Sequence, residues 1–377
     1  MSPAQSMDEI KYWVALNMVL GVGKTLFHRL IGEFGSPEQV FRVPRKDLMR
    51  VEGIGDKTAT EIANFGVEAK VDRELRLLEK IQARILTLVS PEYPELLRQI
   101  YDPPPLLYCQ GKKLDSYPIP VAVVGTRAAT NYGKLVTESL CKGLAEKGVS
   151  IISGMARGID TLAHRSAIQS GGDTVAVFGC GLSHTYPPEN RSLREKIIQS
   201  GTVVSEFPIS MRPDRNNFPA RNRVISGLSY GVIVVEAGEK SGALITAHFA
   251  LEQGRDVFAI PGSILSPKSF SPNRLIKAGA KLVDGPESVL EELPQAVQSL
   301  ITRKAEQVRI KQELSAKERS IVTQMIGEEK HIDQLIENSR LSPAEVSATL
   351  VQLELSGIVR QLEGKMFIAT IETEFNK

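Results

Sequence analysis

The sequence predicts an α/β protein built on a Rossmann-like, mostly parallel sheet, with a helical domain before it and a winged-helix-like domain after it. Three observations predict this. Between about residues 85 and 284, short β-branched apolar runs alternate with helical stretches, the rhythm of βαβ units. Glycine-containing turns follow several of those runs. A polar stretch interrupted by Pro286 and Pro294 then separates this region from a last helix-rich one. A chain of 377 residues is long enough for two or three folded units.

Residues 1–75 read as a small helical domain of helix-hairpin-helix or SAM-like type, broken at Gly21-Val22-Gly23 and Gly53-Ile54-Gly55. A Gly-x-Gly turn between helices points backbone N–H groups outward, and helix-hairpin-helix modules use it to hold a DNA phosphate without reading bases. Tight steric connection of two helices explains the same glycines as simply. Gly23-Lys24-Thr25 imitates the end of a Walker A loop, but Met18 stands where that loop needs glycine.

Residues 76–290 carry the expected strands Val121 to Gly125, Ser150 to Ser153, Thr174 to Phe178, Thr202 to Ser205, Gly231 to Glu236 and Asp256 to Ile260. Residues 291–313 read as a linker with some helix. In 314–371, Ser315 is placed to cap one helix, His331 to Asn338 forms a second, and Ser342-Pro343 opens a third running to about Ser356. Short strands near Val359 and Met366 flank Glu363-Gly364 and complete the wing. The third helix carries Glu345 and Glu354 without Lys or Arg, a poor charge for entering a DNA groove.

Composition narrows the function classes. Lys and Arg total 46 against 44 Asp and Glu, so any phosphate site must come from local clustering. Cys109, Cys141 and Cys180 are far apart and form no CxxC pair, which predicts neither zinc nor disulfides and fits a reducing cytoplasm. No run approaches the roughly 20 apolar residues of a spanning helix, and no leader-like apolar stretch opens the chain, so no membrane contact is expected. No GxGxxG follows a strand, and no GxSxG or HExxH occurs.

Ligands of open parallel sheets bind beyond the strands' C-terminal ends, so the residues just after each strand matter most. After the first come Gly125, Thr126 and Arg127; after the second, the glycine-bracketed run holding Gly154, Arg157 and Gly158. Small residues there admit a phosphate, and arginine adds a forked charge-assisted bond. The loop expected after Ser205 holds Arg212, Arg215, Arg221 and Arg223 around Phe218 and Asn222, and Asp214 is the one acid between 207 and 235. Arginines interleaved with an aromatic ring suit single-stranded nucleic acid, with charges following the backbone and a ring such as Phe218 stacking a base. Alternatively Phe218 is core and the arginines pair with acids such as Glu236. Lys240, Ser241 and Gly242 form a last turn into a helix. His164 and His248 read as packing residues, with Asp160 four residues ahead of His164 as a helix partner.

Gly125-Thr126-Arg127, the run Ser153 to Asp160, Phe218-Pro219-Ala220-Arg221-Asn222-Arg223 and Gly254 to Gly262 together resemble the DNA-processing protein A (DprA/Smf) family. The resemblance covers about 85 to 285, and the flanking segments are similar to those of longer members. It implies a homodimeric protein of natural transformation that binds and shields incoming single-stranded DNA and helps load RecA recombinase, using no cofactor, metal or catalytic residue. It makes Arg127 the first choice for a phosphate contact, with Arg221 and Arg223 next. Some relatives carry Lys after the segment's Tyr-Pro, where this chain has Pro188 after Tyr186-Pro187. The rival expectation is a nucleoside-monophosphate phosphoribohydrolase with Glu236 as its acid, although the Pro-Gly-Gly-x-Gly-Thr run of those enzymes is missing. A third is a scaffold acting through protein contacts.

Overall fold

The computed structural model describes residues 7–301, 314–326, 328–356 and 358–369. The chain divides into two compact units, Met1–Leu293 and Pro294–Lys377. The expected linker is described only as far as residue 301, and residues 370 and 371 of the last expected domain also lie outside the described residues.

The first unit is organised by nine strands: β1 (Arg84–Thr87), β2 (Leu106–Gly111), β3 (Pro120–Val124), β4 (Ser150–Ser153), β5 (Thr174–Phe178), β6 (Thr202–Ser205), β7 (Gly231–Val234), β8 (Asp256–Ala259) and β9 (Lys281–Leu282). Their order is β1-β2-β6-β5-β4-β3-β7-β8-β9, with β6 through β9 parallel and β1 and β2 antiparallel at one edge. The strands from β3 to β6 build outward on one side and β7 to β9 on the other, so the winding reverses between β3 and β7. That reversal leaves a crevice beyond the strand ends.

Both sheet faces are covered, which is why the inner strands read as continuous apolar runs rather than alternating ones. In β5, Ala176 and Phe178 join one core while Val175 and Val177 join the other. Each fully buried Val or Phe among them contributes about 1.5–3 kcal/mol. The first core also takes in Trp13, Leu16, Phe27, Leu30 and Ile62 from the helical segment, together with Leu106 and Tyr108 of β2. The helical segment expected to end near residue 75 thus shares a core with the sheet.

That segment holds helices Met7–Met18, Lys24–Phe34, Pro37–Arg42, Arg45–Leu48, Asp56–Ala63 and Val67–Lys80. A helix, not a strand, precedes Gly23-Lys24-Thr25, so the Walker A likeness has no structural counterpart. Gly21 and Gly53 both have φ +89°, a conformation that favours glycine.

The second unit holds helices Ala316–Val322, Ile332–Ser339 and Pro343–Leu355 and strands β10 (Lys330–His331), β11 (Val359–Gln361) and β12 (Met366–Ala369), paired in the order β10-β12-β11. Ser315 and Ser342 each close a capping box, with Glu318 and Glu345. No described helix is long and apolar enough to cross a membrane.

Candidate nucleic-acid interface

Three turns meet at the β3/β7 crevice, and their backbones are stitched together. Thr126 N donates to Glu236 O at 2.7 Å, Ile159 N to Thr126 O at 3.2 Å, and Ala237 N to Lys268 O at 2.8 Å. The glycines permit this closeness. A Cβ on Gly125 would stand 2.5 Å from Ile159, and one on Gly158, whose φ is +75°, would stand 2.3 Å from Thr126 O. Met155 adopts a φ of +59° between them, strain that buried packing against the first core holds in place.

Acids complete the stitching. Asp160 Oδ2 accepts from Gly154 N at 3.2 Å and Ala156 N at 3.3 Å. Burial raises its carboxyl above the ordinary range, opposed by Arg221 and by those two N–H groups. The expected Asp160–His164 helix pair does not form. His164 is fully buried, its Nδ1 lies 2.7 Å from Thr174 Oγ1, and burial pushes its pKa down to about 3, so the ring is neutral. It is a packing residue, as expected, while His248 is exposed and pairs with Glu252 at 3.2 Å.

Glu236, the acid of the hydrolase alternative, is buried, and its carboxylate accepts from Thr130 N at 2.9 Å and from the Thr130 hydroxyl. Thr130 caps the helix Asn131–Glu146, and a Cβ on Gly133 would collide with that carboxylate. Glu236 therefore holds a helix start and does not line the crevice.

The crevice itself is a cleft of about 670 Å³. Arg127, Arg215, Lys240 and Lys268 line it beside Phe218, Tyr186, Asn222, Ser241 and Gly242, with Asp160 and Glu239 as its acids. Arg127, Arg215 and Lys240 are exposed, and none of the four cations has an ion pair among the described residues. Lys268 Nζ donates to Thr126 Oγ1 at 3.3 Å, tying its loop to the first turn. Ser241 caps the helix Gly242–Glu252, and a Cβ on Gly242 would meet nothing within 4 Å, so that N-terminus opens freely.

An aromatic pair stands at the centre. Phe218 and Tyr186 have centroids 5.4 Å apart, and the guanidinium carbons of Arg127 and Arg221 lie 5.7 and 5.8 Å from the Phe218 centroid. A smaller side lobe is lined by Arg127, Gly154, Arg157, Tyr186, Phe218 and Arg221.

Of the sequence-predicted site residues, Gly125, Thr126, Arg127, Phe218, Arg221, Asn222, Lys240, Ser241 and Gly242 line the main cleft, and Gly154 and Arg157 line the side lobe. Gly158 acts from behind, by its contact with Thr126. Three expectations need correction. Arg223 is fully buried and paired with Glu206 at 2.6 Å and Asp102 at 3.4 Å, so it meets no ligand. Arg221 is 5% exposed and donates to the carbonyls of Gly154 and, at 2.6 Å, Val177, so it forms the floor rather than an open fork. Arg212 is exposed but outside the cleft lining. The site residues not carried forward from the sequence were Arg215, Tyr186 and Lys268. Lys268 follows β8, so the strand-end rule that found Arg127 also pointed to its loop.

The chain was compared with known proteins. The family model described as DNA recombination-mediator protein A matches residues 84–294, and the DprA winged helix domain model matches 305–365. Protein Smf of Synechocystis is 35% identical, the match covering 96% of this chain and 98% of that one. The DNA processing protein DprA of Bacillus subtilis is 44% identical over 60% of this chain and 76% of its own. The crystal structure of DprA from Streptococcus pneumoniae superposes with a TM-score of 0.68 at 37% identity, covering 75% of this chain and 98% of that one. A structure of Helicobacter pylori DprA, described for its single-stranded DNA binding mode, gives a TM-score of 0.50 at 30% identity over 60% of this chain and 97% of its own. On the matched sheet domain, the matched winged helix and the end-to-end relative, this chain belongs to the DprA/Smf family of DNA-processing proteins.

Proposed function

We propose that this chain is a non-catalytic recombination mediator that binds single-stranded DNA in the β3/β7 cleft, protects incoming DNA during natural transformation and helps load RecA. One observation carries the reading: Arg127, Arg215, Lys240 and Lys268 surround an aromatic pair in a single open cleft. Such a site holds a sugar-phosphate backbone through charge and tolerates any base against its rings. The single-strand binding described for the Helicobacter pylori relative supports it.

The engaged carboxylate of Glu236 speaks against the hydrolase alternative, and among the described residues no His, Cys, Asp and Glu cluster fit for a metal is present. We assign the protein to the cytoplasm and to a homodimer. For self-association Ile264 and Leu265, 92% and 88% exposed, offer apolar surface near the sheet. Tyr132 reaches the same loop, its hydroxyl donating to Pro261 O at 2.6 Å.

The test is fluorescence anisotropy of wild type and Arg127→Glu with single- and double-stranded oligonucleotides over a salt series. Tight, salt-sensitive, strand-selective binding that the variant loses is the expected outcome. Absence of binding by folded wild type would refute the reading.

A further inference from the structure

Beside the cleft, outside its lining, the acid Glu189 is paired with a cation of the side lobe. Three guanidiniums, from Arg127, Arg157 and Arg221, converge on the side lobe. Glu189 engages the exposed Arg157 with both carboxylate oxygens: Nε meets Oε1, and Nη2 lies 3.1 Å from Oε2. The pairing is built into the fold and not left to two wandering side chains. Next to Glu189, the buried Asn190 donates from Nδ2 to Met155 O at 3.0 Å and Thr161 Oγ1 at 2.8 Å. Those bonds clamp the 188–190 turn onto the glycine-bracketed turn that carries Arg157. Acid and base are thus delivered to each other by two fixed segments.

We propose that Glu189 is a displaceable counter-ion that occupies Arg157 in the free protein and yields it to a phosphate of a bound strand, making the side lobe selective for polymer over single nucleotides. This rests on the single-strand reading above. A lone nucleotide must compete with a carboxylate tethered beside the guanidinium, whose effective concentration is on the order of millimolar or more. A strand already held at Arg127, Lys240 and Lys268 is tethered too, and competes on equal terms. An exposed ion pair is weak enough to exchange in this way.

The experiment titrates a labelled oligothymidylate of about 20 nucleotides against wild type, Glu189→Gln, Arg157→Gln and the double variant over a salt series, with deoxyadenosine monophosphate as competitor. Circular dichroism checks folding, which exposed side chains at both positions should leave intact. Glu189→Gln is expected to bind the strand about two- to fivefold tighter, with a steeper salt dependence. The mononucleotide's inhibition constant with this variant, corrected for the tighter strand binding, should fall severalfold relative to wild type. The double variant should bind no tighter than Arg157→Gln. Equal strand and mononucleotide affinities for wild type and Glu189→Gln would overturn the proposal, as would a gain that persists without Arg157. Where either of those outcomes appears while Arg127→Glu still abolishes binding, the single-strand reading stands and only this one falls; if wild type itself fails to bind, both fall.

Discussion

The rim and the floor of the cleft use the same kind of side chain for opposite purposes. On the rim, Arg127 and Arg215 are exposed and carry no ion pair among the described residues, as free as a phosphate ligand requires. Arg221 is buried as the floor, donating to strand-end carbonyls, while Arg223, on the far side of the same helix and outside the cleft lining, is buried against Glu206 and Asp102. Arginine suits both tasks because its planar fork spreads charge over several donors. The lesson is that a cluster of arginines in sequence is two populations in space.

This division makes the two regions separable by experiment. Arg223→Ala should leave Glu206 and the shared Asp102 charge without their buried partner, costing about 3–5 kcal/mol in urea unfolding. Its salt dependence of DNA binding, measured on the folded fraction, should match wild type. A mild loss of stability would mean that these acids are relieved by water. Arg127→Glu should do the reverse: unfolding within about 0.5 kcal/mol of wild type, and strand affinity lowered about 10- to 100-fold. Comparable losses of stability in both variants would dissolve the distinction.

Beneath the floor, His164 offers a pH test. Its folded pKa of about 3 lies below the unfolded value near 6.5, so under acid the unfolded chain takes up a proton that the fold refuses. Stability from this group is full above the unfolded pKa and is lost as pH falls toward the folded one. Between pH 7 and 5 wild type should lose about 2 kcal/mol more than His164→Gln in paired urea titrations. Parallel curves would place the proton elsewhere. The smallest effect is expected in the second unit. Glu345 of the helix Pro343–Leu355 is engaged by Lys317 at 2.6 Å and by the Ser342 cap, and Glu354 accepts from Gln361 N at 3.1 Å. Adding a further negative charge on its exposed face, as Gln352→Glu, should shift strand affinity by less than about 0.5 kcal/mol. A sharp loss would make that helix a DNA-contacting element after all.

Much of the fold was legible because both sheet faces are covered. Continuous apolar runs marked β4, β5 and β6 to the residue, and Ser315 and Ser342 announced the first and third helices of the winged-helix unit by their caps. Strands β1, β2 and β9 were not foreseen: β9 has two residues, and β1 and β2 make antiparallel pairs at the edge, outside the βαβ rhythm. The site was legible where backbone sterics dictate residue type, as at Gly125 and Gly158. It was illegible where geometry depends on a helix taken for a loop. The helix Asn217–Gly227 turns about 100° per residue, so Arg221 and Arg223, two positions apart, face nearly opposite sides. The pairing of buried arginines with acids was the right alternative for Arg223, but its partners are Glu206 and Asp102 rather than Glu236.

Asp102 is answered from two directions, by Lys24 at the start of the second helix and by the buried Arg223 of the helix Asn217–Gly227. The helical segment is therefore not a detachable cartridge. A truncation that begins the protein at the sheet removes one of the two countercharges on Asp102 and strips the first core of Trp13, Leu16 and Phe27. Chimeras that exchange this segment between relatives must move Lys24, Asp102 and Arg223 as one inherited set. A graft that respects only the apparent boundary carries a mismatch in charge to the buried pairing of Arg223 with Asp102 and Glu206.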